Sequence, residues 1–322
     1  MNILVIGLGS MGKRRIRLIQ ELSPDVRIFG VGRRPEVRTE IKKLFDIESF
    51  ASVSDVDVPI NCAFVCTSPL SHAGIIAECL RRGWNVFTEL NLVADGYEDN
   101  IALAREMSCR LFLSSTFLYR EETRYISSAV GNNKKWNYIY HIGQYLPDWH
   151  PWESYKNFFV GDARTNGCRE IMAIELPWLI KAFGPVTEIH TVSDKITDLD
   201  IACHDNYMMH LTHETGNKGI LAVDVVSPCA VRKLEAYTEG AYLSWGGTPE
   251  SLFEYHAGTD SLERVSLCEE TEHKEGYRAF IVENAYKNEI RAFFDLVLNG
   301  KCPEYGFEQD LETLKLIDTA GA

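Results

Sequence analysis

Asn2-Ile3-Leu4-Val5-Ile6 is a short, β-rich apolar run that stops abruptly at Gly7. Behind it Met11, Ile16, Leu18 and Ile19 recur with helical spacing, so the pattern predicts strand, turn and helix in succession. Comparable apolar runs predict strands at 26–31, 62–66, 85–88 and 110–114, with helices at 70–82 and 97–107. Strands alternating with helices predict a parallel, doubly wound sheet. From about Glu121 the rhythm changes to one helix and then longer strands, at 136–145, 186–192, 207–213, 219–226 and 233–238. Helices near 282–298 and 307–319 close the chain. The fold class expected is therefore α/β: an N-terminal doubly wound parallel sheet over 1–120, and an α+β domain with a large, mostly antiparallel sheet over 121–322.

Composition narrows the class. The chain has 322 residues, 45% hydrophobic and 25% charged, enough for two globular domains with real cores. No apolar stretch reaches the roughly 18–20 residues of a membrane span, and the first residues lack the pattern of a secretory signal. The expectation is a cytoplasmic protein. A net charge of −13 disfavours a nucleic-acid partner, whose phosphates require a basic surface. Nine cysteines are scattered without a CxxC pair, which indicates neither a disulfide framework nor a metal site.

The first turn carries the strongest chemistry. Gly7-Leu8-Gly9-Ser10-Met11-Gly12 is GxGxxG between a strand and a helix, the context in which that spacing binds a dinucleotide. Gly7 allows the tight turn, Gly9 lets the backbone approach a diphosphate, and Gly12 lets helix and strand pack closely. Ser10 and Met11 open the helix, whose free amides and positive dipole end favour anions. About twenty residues on, where an NAD site has an acidic side chain for the ribose hydroxyls, this chain reads Gly32-Arg33-Arg34. Two guanidinium groups suit a 2′-phosphate, so the cofactor expected is NADP, with NAD as the alternative.

With Thr67-Ser68-Pro69-Leu70-Ser71-His72, Gly83-Trp84-Asn85-Val86-Phe87-Thr88-Glu89, Gly143-Gln144-Tyr145-Leu146-Pro147-Asp148-Trp149 and Phe183-Gly184-Pro185-Val186 added to the glycine turn, the chain resembles the Gfo/Idh/MocA (glucose-fructose oxidoreductase / inositol dehydrogenase) family along its length. The resemblance implies that Thr67, Ser68, His72 and Glu89 belong to the cofactor site. It also implies that Trp149 approaches the cofactor, and that one face of the second domain's sheet pairs with another subunit in a homodimer or larger assembly.

Two departures stand out. The family's Glu-Lys-Pro motif falls on Glu89-Leu90-Asn91, so the lysine that orients substrate and moves a proton is a leucine. The family's proton-accepting histidine falls on or beside Ile174, and its preceding aspartate on Glu170 or Ile171. A positioned acid or base contributes about 10²–10⁴ in rate, so other groups must serve or the chemistry is lost. The candidate replacements are Glu175, on a helix apolar on nearly every face, and His150 and Tyr145, in an aromatic cluster with Asp148, Trp149 and Trp152. A buried carboxylate is pushed toward neutral pKa, and imidazole titrates there already. Pro177 should kink the helix that carries Glu175. His210 and His213 fall on opposite faces of their strand and make no metal site. The activity expected is hydride transfer between a nicotinamide cofactor and a sugar, nucleotide sugar or polyol; the alternative is a cofactor-binding sensor without turnover.

Overall fold

The computed structural model describes residues 1–131, 134–150, 153–267, 272 and 281–322. It divides into two compact units, one of Met1–Ser115 with Tyr286–Leu311 and one of Thr116–Ala285 with Glu312–Ala322.

The first unit is a six-stranded parallel sheet. Its strands are β1 (Asn2–Ile6), β2 (Arg27–Val31), β3 (Glu48–Phe50), β4 (Cys62–Val65), β5 (Asn85–Thr88) and β6 (Leu111–Leu113), in the order β3-β2-β1-β4-β5-β6. Helices α1 (Ser10–Leu22), α2 (Pro35–Phe45), α3 (His72–Arg81) and α4 (Tyr97–Glu106) connect them. The expected strands and helices are in place. The missed strand is β3, a three-residue edge strand whose Ser49 and Glu48 gave no apolar run. The order reverses between β1 and β4, and open α/β sheets bind ligands beyond the strand ends at such a reversal.

Residues 286–311, expected in the second domain, cluster with this first unit. The reason is aromatic packing. Phe64, Phe87 and Phe112 stack across the sheet at 4.7 and 5.1 Å, and Phe293 of helix α7 (Glu283–Asn299) meets all three at 5.2, 5.6 and 5.7 Å. Four large rings, all fully buried, take a large apolar area out of water together.

In the second unit, α5 (Glu121–Val130) and α6 (Gly167–Phe183) lie with an eight-stranded sheet. Its strands are β7 (Asn137–Gly143), β8 (Val186–Asp194), β9 (Asn206–His213), β10 (Lys218–Asp224), β11 (Val231–Thr238), β12 (Ala241–Trp245), β13 (Leu252–His256) and β14 (Ser261–Arg264), in the order β14-β13-β12-β11-β7-β10-β9-β8. Only β7 and β10 pair in parallel among the described residues; every other neighbour is antiparallel. Helix α8 (Phe307–Ala320) ends the chain. The sequence pattern missed β12, β13 and β14, short strands at the far edge, the last of them exposed throughout.

Alternation decides the two faces of this sheet. Tyr138, Tyr140, Leu221, Val223 and Leu234 point inward, and Trp178 of α6 sits edge-on to Tyr140 at 5.5 Å and to Trp245 at 5.7 Å. Helix α6 continues unbroken across Pro177, with Leu176, Trp178 and Leu179 buried on either side of it. The opposite face shows Ile139, Met208, Ile220 and Val192 at 44, 56, 48 and 76% exposure. His213 is buried and His210 exposed, as alternation requires.

Candidate functional site

In the first unit the glycine turn has the geometry its sequence implies. Gly7 adopts φ +95°, and an added Cβ would lie 2.6 Å from the Cys66 carbonyl oxygen. A Cβ on Gly12 would stand 1.9 Å from the Gly7 carbonyl oxygen, so helix and turn touch through bare backbone. Gly9 differs in kind. Its φ of −79° suits any residue, and no atom among the described residues lies within 4 Å of where its Cβ would be. It is the N-cap of α1, makes no side-chain cap, and is followed by a first turn without an acidic residue. Exposed Gly9 and Ser10 and half-buried Met11 thus leave the positive end of the helix dipole facing outward over open space. The residues present fit a dinucleotide diphosphate.

Arg33 and Arg34 follow β2, both exposed, and their side chains make no hydrogen bond or ion pair among the described residues. Sequence reasoning overlooked Arg38, whose Nη1 donates to the carbonyls of Gly32 (2.7 Å) and Arg33 (3.1 Å) and so fixes the loop that presents them. The i+4 spacing from Arg34 was the available signal.

At the end of β4, the Thr67 methyl lies 2.9 Å from an added Gly7 Cβ, against the glycine turn; its hydroxyl accepts from Ser71 Oγ at 2.8 Å, and Ser68 is exposed. His72 is buried rather than open. Its Nε2 lies 2.9 Å from the Thr67 carbonyl oxygen and its Nδ1 2.5 Å from the Asn91 side chain, and burial lowers its pKa. Such a ring holds the 67–72 turn to the end of β5. Glu89 is likewise occupied. Arg15, fully buried on α1, donates through Nε and Nη2 to Glu89 at 2.6 and 3.0 Å and through Nη2 to Glu289 at 2.6 Å. Burial opposes the Arg15 charge, but Glu89 and Glu289 outweigh it and raise its pKa; burial raises that of Glu289. Ser114 Oγ and the Ser115 amide also donate to Glu289, at 2.9 and 2.7 Å.

In the second unit three segments converge. The Tyr145 amide donates to the Ser227 carbonyl at 2.7 Å and the Leu146 amide to Val225 at 3.0 Å, which ties the turn after β7 to the end of β10. An added Cβ on Gly167, at the start of α6, would meet Leu146, Val225 and the Trp149 ring at 3.0, 3.0 and 3.4 Å. Trp149 Nε1 donates to the Gln144 carbonyl at 3.1 Å. Tyr145 is half-buried, its hydroxyl making no hydrogen bond among the described residues. The His150 ring packs 4.2 Å from Phe158, and burial lowers its pKa. Trp152 lies outside the described residues. Asp224 joins the same turn: His141 Nε2 lies 2.7 Å from its Oδ2, and the Val226 and Ser227 amides donate to Oδ1. Burial opposes its charge, yet these donors hold its carboxyl below the usual range.

Glu175 is fully buried, as its helix predicted, but in a closed set of partners. Tyr140 Oη and Trp178 Nε1 each donate to Oε2 at 2.7 Å, and Arg232 donates to Oε1 through Nε and Nη2 at 3.0 and 2.7 Å. These four bonds saturate the carboxylate and lock α6 to β7 and β11. Arg232 in turn lies over Phe117, 4.7 Å from its centroid. Leu90 and Ile174 are half-buried. Among the described residues no group of three or more metal-ligating side chains gathers, eight cysteines are free, and no helix is long and apolar enough to cross a membrane.

Comparison with known proteins follows this division. Residues 1–115 match the model of the oxidoreductase family with an NAD-binding Rossmann fold. No curated protein sequence matches the chain. Solved structures of similar fold include an oxidoreductase from Agrobacterium radiobacter in complex with NAD+, L-tartaric acid and magnesium (TM-score 0.81, 10% identity, 100% of this chain and 95% of that one). UDP-N-acetylglucosamine 3-dehydrogenase GnnA from Acidithiobacillus ferrooxidans gives TM-score 0.77 and 15% identity over 99% and 96% of the two chains. Myo-inositol 2-dehydrogenase from Lactobacillus plantarum gives 0.78 and 16% over 100% and 96%. At such identities the likeness speaks to the fold.

Proposed function

Because residues 1–115 belong to the Gfo/Idh/MocA oxidoreductase family, we propose that this protein is an NAD(P)-dependent dehydrogenase acting on a sugar, nucleotide sugar or polyol. The observation that carries the reading is Gly9: a glycine the backbone does not need, at a helix head with no acidic residue in its first turn, beside room that no described side chain fills. Gly7, Gly9, Ser10, Met11 and Gly12 hold the diphosphate there, and Thr67 and Ser68 border it. The bound dinucleotide supplies hydride transfer; the protein supplies binding, orientation and a proton. Sugar and polyol substrates are supported by the names of the inositol and UDP-N-acetylglucosamine dehydrogenases that share the fold.

Within this reading His72 and Glu89 are positioning residues, the first for the Thr67 turn and the second, through Arg15, for α1. Glu175 acts in the same way for α6, through Arg232 and Tyr140. Tyr145 and His150 remain the candidates for the substrate side. Arg33 and Arg34 select NADP. Arg33→Ala should weaken NADP binding about tenfold or more, the value of one lost charge-assisted bond, and NAD binding by under twofold. Equal losses in a fluorescence titration would make the arginines bystanders.

A second copy of the chain covers the exposed face of the second unit's sheet, where Ile139, Ile220 and Met208 form an apolar patch. Ile220→Glu should shift light-scattering mass toward monomer while leaving the far-ultraviolet circular dichroism unchanged. An unaltered mass would place the interface elsewhere.

The activity is tested by following nicotinamide absorbance with NADPH, NADP, NADH or NAD against a panel of sugars, nucleotide sugars and polyols, with turnover expected for at least one. Leu90 and Ile174, where proton-transfer groups would stand, favour a second reading, a dinucleotide-binding sensor. Tight binding without turnover across the panel would select it.

A further inference from the structure

His72 has more acceptors around it than a neutral ring can serve. It is buried, 2% exposed, at the first position of α3. Its Nε2 lies 2.9 Å from the Thr67 carbonyl oxygen, which can only accept, so Nε2 carries a hydrogen. Its Nδ1 lies 2.5 Å from the Asn91 side-chain oxygen, which also only accepts. Thr88 Oγ1 stands 3.3 Å from the same nitrogen, but its hydrogen goes to the Glu89 carbonyl at 3.2 Å. Turning the Asn91 amide over does not help. Asn91 also hydrogen-bonds Tyr97, whose hydroxyl hydrogen is committed to the buried Asp310 carboxylate, so that contact needs the amide NH2. A neutral ring therefore sets lone pair against lone pair at Nδ1, whereas an imidazolium, with two N–H groups, satisfies both acceptors. Burial nevertheless lowers the His72 pKa, against the pull of Asn91, Thr67 and the Glu89 charge. Among charged groups Glu89 acts on the ring, itself bonded to Arg15, and Asp310 lies behind Tyr97. The surroundings suit a charge that burial withholds.

We propose that His72 is the proton-linked residue of the dinucleotide site: neutral in the free protein, it takes one proton from solvent as the dinucleotide binds and then donates to Thr67 and Asn91 together. The proposal rests on the dinucleotide reading of the glycine turn and adds a pH dependence to it. The connection is short. Thr67, whose carbonyl takes Nε2–H, also lies against the glycine turn, its methyl 2.9 Å from where a Gly7 Cβ would be. A diphosphate held on that turn brings two negative charges to the same end of the sheet, and nearby negative charge favours the imidazolium. Binding and protonation then strengthen each other by equal amounts, as linkage requires. The proton comes from a buffer acid and joins the Nδ1 lone pair; no other bond changes. A charged ring also grips both oxygens more strongly than a neutral one, so the turn that borders the dinucleotide is held more firmly in the bound form. Asn91 is what makes the device particular to this chain. It stands where the Glu-Lys-Pro motif has proline, which offers no side-chain oxygen to Nδ1.

Isothermal calorimetry with NAD is the test, because its diphosphate does not titrate near neutrality, whereas the 2′-phosphate of NADP does, at about pH 6. A proton taken up by the complex is one given away by the buffer. Binding heats near pH 7 should therefore differ between HEPES and Tris in proportion to an uptake of up to one proton. NAD affinity should rise as pH falls from about 8.5 to about 6, by at most tenfold per pH unit. His72→Gln keeps a hydrogen-bonding side chain that cannot be charged; it should take up no proton and bind NAD with an affinity independent of pH. The same difference between wild type and His72→Gln is expected with NADP, whose own titration is common to both. Asn91→Asp should lose the uptake for the opposite reason, since a carboxylate against Nδ1 charges the ring beforehand. Its nitrogen-15 histidine spectrum should show that imidazolium without nucleotide, where wild type shows it only with nucleotide bound. Equal heats in the two buffers for a protein that binds NAD, or a wild-type uptake that His72→Gln retains with either nucleotide, overturns the proposal and leaves the dinucleotide site standing. Failure to bind NAD, NADH, NADP and NADPH overturns both.

Discussion

Gly9→Asp should fold at least as well as the native protein and lose dinucleotide binding by more than about a hundredfold. The two halves of this result have opposite signs because the residue does two separable things. As N-cap of α1, Gly9 has extended backbone angles and offers no side-chain acceptor to the first free amides. Aspartate is among the best N-cap residues, and a carboxylate there also satisfies the helix dipole, together roughly 0.5–1 kcal/mol of stabilisation. An added Cβ meets no described protein atom within 4 Å. The side-chain atoms do enter the space assigned to the diphosphate, and they bring a negative charge against two others. A hundredfold loss is about 2.7 kcal/mol, within reach of one steric overlap and one like-charge contact at a poorly solvated site. Thermal unfolding checks the first half and isothermal calorimetry the second. A variant that binds as before would mean the glycine turn is only a turn. By contrast, Gly12→Ala forces a Cβ onto the Gly7 carbonyl at 1.9 Å, and its loss of binding would say nothing about ligand because the turn itself must move.

Arg15→Leu should destabilise the first unit by about 3–5 kcal/mol, the cost of leaving buried carboxylates without their cation. The side chain is completely buried and bonded to both Glu89 and Glu289, with its guanidinium 4.5 Å from the centroid of the Phe87 ring. Leucine returns the apolar contact but none of the charge. In a unit of the first one's size a loss of 4 kcal/mol lowers the melting temperature by roughly 8–16 °C. Arg15→Lys should lose less, since one charge remains, but more than a surface substitution, since an ammonium cannot reproduce the fork that grips Glu89. A change below about 1 kcal/mol would show the triad to be marginal. The same argument gives Glu89 a structural service beside Leu90: its partner is Arg15, and it holds the helix that opens on the glycine turn.

Much of this architecture can be read from the chain. The alternation of short apolar runs with helical spacing places β1, β2, β4, β5 and β6 because each is buried on both faces, and the glycine spacing predicts a turn whose clash distances the structure displays. The failures share a cause. Arg15 could have been suspected, because Gly12, Arg15, Ile16 and Ile19 lie on one helix face, but its partners stand 74 and 274 residues away. Glu175 was correctly read as buried; what no local pattern reveals is that Arg232, 57 residues on, closes over it. Glu170 is the converse, a shielded carboxyl oxygen with no hydrogen-bond partner among the described residues, which a sequence cannot state. Residues 286–311 joined the first unit for a similar reason. Phe293 is one of many aromatic residues in the sequence, and only the three rings awaiting it on the parallel sheet decide where its helix belongs.

Calorimetric titration of the intact protein with NADPH, NADP, NADH and NAD is the most direct test. Saturable one-to-one binding is required, tighter for the 2′-phosphorylated pair and abolished by Gly9→Asp in a protein that remains folded. Heats indistinguishable from dilution for all four nucleotides, with the circular dichroism of a folded α/β protein, would contradict it.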